Sequence, residues 1–407
     1  MTDAVERLGE FDVAIVGAGP AGSASATWLS RAGLSVALVD KAFFPRDKPC
    51  GEYQSPETQR IFDRLGVKEK ILAANPARLK GMRIWTSDGN NFRGDFSSDP
   101  SSPIYGLSLP RRILDDILMR HAAEQGASVF EGFTIKQLIG NDRQVTGIKG
   151  QLDGQKVQLD AKLVIGADGI NSVVANRLGL RQHHRWLKKV AFVTHFENVD
   201  ALSSYGEMFV SKDRYCGLAP LGRNLTNVCV VVDTKVAQTW KDDIEENFFK
   251  EVARYPILAE RMQNSKMIKA IKAVGPLAVG TVRATSPGAI LVGDAAFFLD
   301  PFTGEGMYTA LANAELASDI LLKHWSTNGP SEEFYSKYEK ERLKAFKGKW
   351  RVCSLIQLAI RYPMMMRFFA ERLGKRKKLA DILVGVTGDF RSPYEVLSAA
   401  WLARLLI

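Results

Sequence analysis

The chain has 407 residues, 46% hydrophobic and 25% charged, with 34 Gly and 16 Pro. That usage excludes a disordered, collagen-like or small disulfide-stapled protein and supplies enough apolar material for two or three cores. The net charge of +10 is local rather than spread: between Glu341 and Ala380 twelve basic residues stand against two acids, which accounts for the whole excess.

Such a patch on C-terminal helices points to a solvated face or to peripheral contact with a membrane surface. No nucleic-acid-binding motif accompanies it, so nucleic acid is not expected as a partner. Cys50, Cys216, Cys229 and Cys353 are too irregularly spaced for a disulfide framework or a C-x-x-C metal pair. A reducing, cytoplasmic setting without a bound metal is expected. The N-terminus lacks the basic-then-apolar layout of a signal peptide, and no apolar run approaches the roughly 18–20 residues of a membrane span.

In chain order, Phe11–Val16 reads as a buried strand, Gly17-Ala18-Gly19-Pro20-Ala21-Gly22 as a turn, Ser23–Arg31 as a small-residue helix and Leu34–Val39 as a second strand ending at Asp40. This strand–turn–helix–strand context gives the G-x-G-x-x-G spacing a meaning. Gly17 allows the tight turn, Gly19 lets the backbone approach a diphosphate at the helix N-terminus, and Gly22 with Ala26 allows close packing of helix on strand. Asp40, followed by Lys41, is placed to accept from a ribose hydroxyl and disfavours a 2′-phosphate, so the dinucleotide is FAD or NAD rather than NADP.

Leu109–Gly126 is helical and ends at a glycine stop. Alternating segments at Ala127–Ile135, Val145–Gly150 and Gln155–Leu159 suggest a β-meander, and Ala161–Ile165 a buried strand running into Gly166-Ala167-Asp168-Gly169. The stretch from about Leu187 to Ala284 is strand-rich. Ala289–Val292 then leads through Gly293-Asp294 to a long amphipathic helix, and the remainder is helical. No linker separates these parts, so the domains are interleaved. An α/β fold with α+β insertions is expected: a Rossmann-like unit from 1–75, 103–180 and 276–325, an antiparallel substrate sheet from 76–102 and 181–275, and C-terminal helices over 326–407.

Three segments, the fingerprint Gly17–Gly22, GADGINSVV at Gly166–Val174 and GDAAFFLDPFTGEG at Gly293–Gly306, together resemble the FAD signatures of flavoproteins with the p-hydroxybenzoate hydroxylase fold. The match runs over nearly the whole chain. The resemblance implies that Gly17, Gly19, Pro20, Ala21 and Gly22 hold the diphosphate and Asp40 the adenosine ribose. It also implies that Arg111 reaches the diphosphate, Asp168 and Gly169 stand near it, and Gly293 and Asp294 meet the ribityl chain. Pro301 to Met307, with Gly304, Glu305 and Gly306, form a loop opening a helix, whose N–H groups and dipole suit the negative edge of a reduced flavin. Only one dinucleotide fingerprint is present, so NADH or NADPH is expected as a transient electron donor without its own Rossmann unit.

Phe44–Glu52, with Arg46, Lys48, Cys50 and Gly51, resembles a stretch shared by the geranylgeranyl reductase-like and halogenase-like branches, which implies a course beside the flavin. Cys50 there is either a redox or a packing residue. At Tyr215–Pro220 the aromatic positions of prenyl reductases are held by Gly217 and Ala219, which leaves room for a bulky substrate. Lys80 lies in the region of the halogenase lysine without its usual spacing. The expected function is NAD(P)H-dependent monooxygenation of a hydrophobic aromatic or polyketide-type molecule with O2. His195 is the candidate base and Tyr215, Pro301, Gly304 and Gly306 are the other candidate catalytic residues. The alternatives are C=C reduction of an isoprenoid or lipid, halogenation, and a non-catalytic FAD-binding module.

Overall fold

The computed structural model describes residues 5–97, 99, 101, 103–141 and 144–406. Its first sheet orders the parallel strands Ala289–Leu291, Gln155–Gly166, Glu6–Val16, Val36–Asp40 and Ser128–Glu131. Val13–Val16 and Val36–Val39 are buried because both faces of the parallel sheet are covered there, which is why these strands read as continuous apolar runs. Helix Pro20–Arg31 packs against helices Gly306–Lys323 and Arg111–Glu124.

The segments expected as separate strands at 155–159 and 161–165 are one strand, Gln155–Gly166. No turn residue interrupts it. Its first half pairs antiparallel with Val145–Leu152, which in turn pairs with Thr134–Gly140, while the whole strand runs parallel to Glu6–Val16. The sequence pattern changes from alternating to continuous where the strand passes from the meander into the covered sheet.

The second sheet runs in the order Lys266–Met267, Lys189–Glu197, Leu225–Asp233, Arg214–Gly222, Tyr205–Ser211, Gly81–Thr86 and Asn91–Asp95. It is antiparallel except where Tyr205–Ser211 meets Gly81–Thr86. Alternate residues serve two cores. Phe192, Phe196, Val228 and Val230 pack under helices Ile244–Val252 and Pro256–Arg261, whereas Ala191, Val193, Cys229 and Val231 face the opposite way. That opposite face is covered by C-terminal helices Glu332–Arg361, Pro363–Lys375, Lys377–Thr387 and Ala399–Leu406. Pro363 separates the first two, since a proline lacks the N–H that would continue the first helix yet suits the first position of the next. Among the described residues no helix is long and apolar enough to cross a membrane, and no cluster of three His, Cys, Asp or Glu side chains has the arrangement of a metal site.

Candidate active site

The turn between the first strand and first helix is shaped by sterics. Gly17 has φ +102°, and a Cβ there would stand 2.6 Å from the Ala167 carbonyl oxygen; one at Gly22 would stand 1.8 Å from that of Gly17. Only glycine fits at either place. Gly293, at φ +59°, is held by Asn313 Oδ1, which accepts from its N–H at 2.9 Å, and a Cβ on it would lie 3.0 Å from that of Ala21. These glycines let the three loop segments converge on the N-terminus of helix Pro20–Arg31.

A cavity of about 160 Å³ opens there, walled by Gly19, Pro20 and Ala21 at one end and by Pro301, Gly304, Gly306 and Met307 at the other. Lys48, Cys50, Gly51, Arg111, Gly169 and Asp294 line it between. The nearest side-chain atoms to a Cβ built on Gly19 are Arg46 Nη2, at 3.8 Å, and Arg111 Nη2, at 4.0 Å. Buried Asp115 fixes both guanidiniums: it accepts from Arg111 Nε and Nη2 at 2.6 and 2.7 Å and pairs with Arg46 Nη1 at 3.0 Å. Burial disfavours the Arg111 charge, but Asp115 and Cys50 together outweigh it and raise the pKa. Burial instead dominates at Lys48, and with Arg111 and Arg46 it lowers that amine's pKa against the pull of Asp294. Burial pushes Asp294 up, opposed by Lys48 and Arg111.

Asp40 ends the second strand, where its Oδ2 accepts from Ala18 N–H at 2.8 Å and its Oδ1 from Ala42 N–H at 2.9 Å. Lys41 beside it is exposed and does not line the cavity. Asp168 stands behind the wall: its Oδ2 accepts from Val173 N–H at 2.6 Å, anchoring the short helix Val173–Arg177, and its buried Oδ1 has no partner.

At the far end, Gly304 adopts φ +70° with the Tyr53 ring against it. Glu305 is buried beside the ion pair of Lys349 and Asp389, and its Oε1 has no partner. Burial pushes its carboxyl up to about 8, with Asp389 adding to the rise and Lys349 opposing it. Asp300 shapes the loop: its Oδ1 accepts from Tyr215 Oη at 2.6 Å, Gln357 Nε2 at 2.8 Å and Phe302 N–H at 2.9 Å. Tyr215 therefore reaches the loop through Asp300 and through an edge-on contact with Phe302 at 5.1 Å, rather than lining the cavity. His195 Nε2 is 2.7 Å from Glu52 Oε2. Glu52 also accepts from Asn227 Nδ2 at 3.0 Å and Arg111 N–H at 2.9 Å, so the histidine sits in a separate crevice behind the wall.

A second cavity, of about 200 Å³, lies beyond the loop among Met82, Ile84, Met208, Phe302, Thr303 and the C-terminal helices. Pro301 and Gly304 face one cavity, Phe302 and Thr303 the other, so a single loop is shared by both. The lining is hydrocarbon and aromatic with only Thr303, Thr387 and the Trp401 indole as polar groups, and no titratable side chain. The space expected beside Gly217 is taken by Met208, whose Sδ is 3.3 Å from where a Cβ would be. Lys80 is exposed and lines neither cavity.

Tyr53, Lys349 and Asp389 are site residues outside the motifs, whereas Asp115, Glu52 and Asp300 lie within motif stretches without having been singled out. Asp115 had a signal in its i,i+4 spacing from Arg111 on one helix face; Lys349 and Asp389 had none, since a fold brings them to Glu305 from distant helices. The residues present fit FAD. Two guanidiniums and a helix N-terminus meet at a diphosphate-sized approach, and the unpartnered buried Tyr53 Oη and Glu305 Oε1 stand at the opposite end.

The chain is 27% identical to the 1H-pyrrole-2-carbonyl-[peptidyl-carrier protein] chlorinase of Pseudomonas fluorescens, over 94% of this chain and 90% of that one. It is also 27% identical to the digeranylgeranylglycerophospholipid reductase 1 of Methanococcoides burtonii, over 81% and 79%. Among solved structures, the myxobacterial chondrochloren halogenase superposes with a TM-score of 0.78 at 23% identity, over 84% of this chain and 82% of that one, a likeness of fold. The model of the FAD-binding-domain family matches residues 10–350, and with the diphosphate and flavin-loop geometry above it identifies the chain as a member of that family of FAD-dependent oxidoreductases.

Proposed function

We propose that this flavoprotein reduces a carbon–carbon double bond in a hydrophobic, chain-bearing lipid held in the second cavity. The observation that carries the reading is the cavity's composition: apolar apart from two threonines and the Trp401 indole, without a titratable side chain, and sharing the loop Pro301–Gly304 with the flavin cavity. A phenol substrate calls for a base beside its hydroxyl, and His195, the candidate for that task, lines neither cavity and is tied to Glu52 in the wall of the first. The similarity to a digeranylgeranylglycerophospholipid reductase supports the same class.

Bound FAD, when reduced, supplies a hydride, and the saturated product requires one proton more. The chain's own groups orient and shield. Asp300, Tyr215 and Gln357 hold the loop, Phe302 and Thr303 present the substrate side, and the protonatable side chains Lys48, Cys50 and Glu52 surround the flavin side. NADH or NADPH remains the proposed electron donor. The test is anaerobic mixing of dithionite-reduced holoprotein with a geranylgeranyl lipid: reoxidation of the flavin without oxygen supports the reading, and a flavin that stays reduced contradicts it.

Oxygen-dependent chemistry, monooxygenation or halogenation, is the second reading, supported by the similarity to a chlorinase. It predicts instead a transient flavin–oxygen adduct when the reduced protein meets air, lengthened by a hydrophobic aromatic substrate.

A further inference from the structure

The second cavity opens at the surface between the C-terminal helices. Leu355, Leu358, Met365 and Leu402 both line it and are exposed, at 52, 38, 37 and 45%. The turn joining helices Glu332–Arg361 and Pro363–Lys375 stands at that rim with Tyr362 at 51% and Met364 at 86% exposure. Soluble proteins seldom cluster side chains of this size in the open, and such a cluster marks a contact surface. Against the turn lies a second loop, where the exposed Trp186 ring sits under the Arg361 guanidinium at 5.8 Å. Trp and Tyr with Met and Leu beside arginine form the composition that partitions to the headgroup level of a bilayer.

The charge around this rim has a definite sign. Much of the basic excess of the C-terminal region is neutralised within the fold: Arg342 by Glu339, Lys349 by Asp389, Arg367 by Asp88 and Glu371, Lys377 by Asp95 and Asp381. Among the described residues, Arg361 and Arg351 have no acidic partner within 4.0 Å, and neither do Arg185 and Lys188, which flank Trp186. One acid stands beside the turn: Asp213, at the tip of a hairpin, donates its N–H to the Ile360 carbonyl.

We propose that this face docks the protein on an anionic lipid bilayer, with Met364, Tyr362 and Trp186 entering the interface. The basic side chains meet lipid headgroups, and the cavity mouth opens toward the acyl region. An acidic protein partner would use the charges but leave Met364 and Leu402 facing water; a bilayer accommodates both. The docking rests on the lipid-substrate reading only for what enters the mouth, and vesicle binding tests it without any turnover.

The experiment is flotation of the FAD-loaded full chain with phosphatidylcholine vesicles, with and without phosphatidylglycerol, at low and high salt. The expected result is flotation with the anionic vesicles, weakened by salt, and lowered about tenfold or more in a Met364→Glu, Leu402→Glu double variant. Val5→Glu, at an exposed apolar residue just before strand Glu6–Val16 of the first sheet, should float as the parent does. The same flavin spectrum in all variants confirms that each has folded. No flotation, or flotation unchanged by the double variant, overturns the proposal. So does a concentration-dependent dimer that the double variant dissociates while neither form binds vesicles, which would assign the face to a second copy of the chain.

Discussion

A Cβ added to Gly304 would lie 2.5 Å from Cδ1 of the Tyr53 ring. The two residues come from loops some 250 positions apart in sequence, and their contact sets the floor of the flavin end of the cavity. Gly304 also has φ +70°, a conformation costing a residue with a Cβ on the order of 1 kcal/mol before any clash. Gly304→Ala should therefore displace Tyr53, weaken FAD binding about tenfold or more and lower stability by about 1–3 kcal/mol. Flavin fluorescence titration checks the first and urea denaturation the second.

Asp115 compensates the buried Arg111 guanidinium and the partly buried Arg46 guanidinium at once. Asp115→Asn leaves them crowded and is expected to cost about 3–5 kcal/mol in the FAD-free protein. The diphosphate of FAD would supply the missing negative charge, so the loss should shrink in the presence of excess FAD. Denaturation midpoints with and without the cofactor measure this; an equal loss in both conditions contradicts the placement of Arg46 and Arg111 at the diphosphate.

Glu305 gives a pH signature. Its folded-state carboxyl is raised from the ordinary value of 4.5 to about 8 by burial. Between those values the folded chain holds a proton that the unfolded chain has released, so this group's contribution to stability falls as pH rises through that window and levels off above it. The slope is about 1.4 kcal/mol per pH unit at most. Glu305→Gln should flatten that component of the melting temperature against pH in the FAD-free protein, and an unchanged profile would place the titration elsewhere.

The dinucleotide fingerprint, the long helix after Gly306 and the helical C-terminus were all legible in the sequence, because each depends on local spacing: glycines at a turn, a 3.6-residue period, a proline at a helix start. The two strands expected at 155–159 and 161–165 proved to be one, since burial on both faces begins halfway along it. The roles around the flavin loop were less legible. Tyr215 and His195 stood out as polar residues on strands, but their partners Asp300 and Glu52 come from other parts of the chain. Gly217 suggested an open pocket wall, and a methionine on the neighbouring strand fills it.

Filling the second cavity separates its role from that of the first. Ala359 lines it on helix Glu332–Arg361, and Ala359→Phe would place a ring in a space of about 200 Å³. Stability should change by about 1 kcal/mol or less, because the space is there to receive the ring. FAD affinity should stay at the parent value while binding of a fluorescent long-chain lipid probe falls about tenfold. Loss of FAD instead would show that the two cavities are not independent.

The most direct test of the account is the mass of the product after a single turnover of reduced holoprotein with a geranylgeranyl lipid under isotopically labelled oxygen. The account predicts a product heavier than the substrate by two hydrogens and free of the label. A product carrying one labelled oxygen atom would contradict it and assign the chain to monooxygenation.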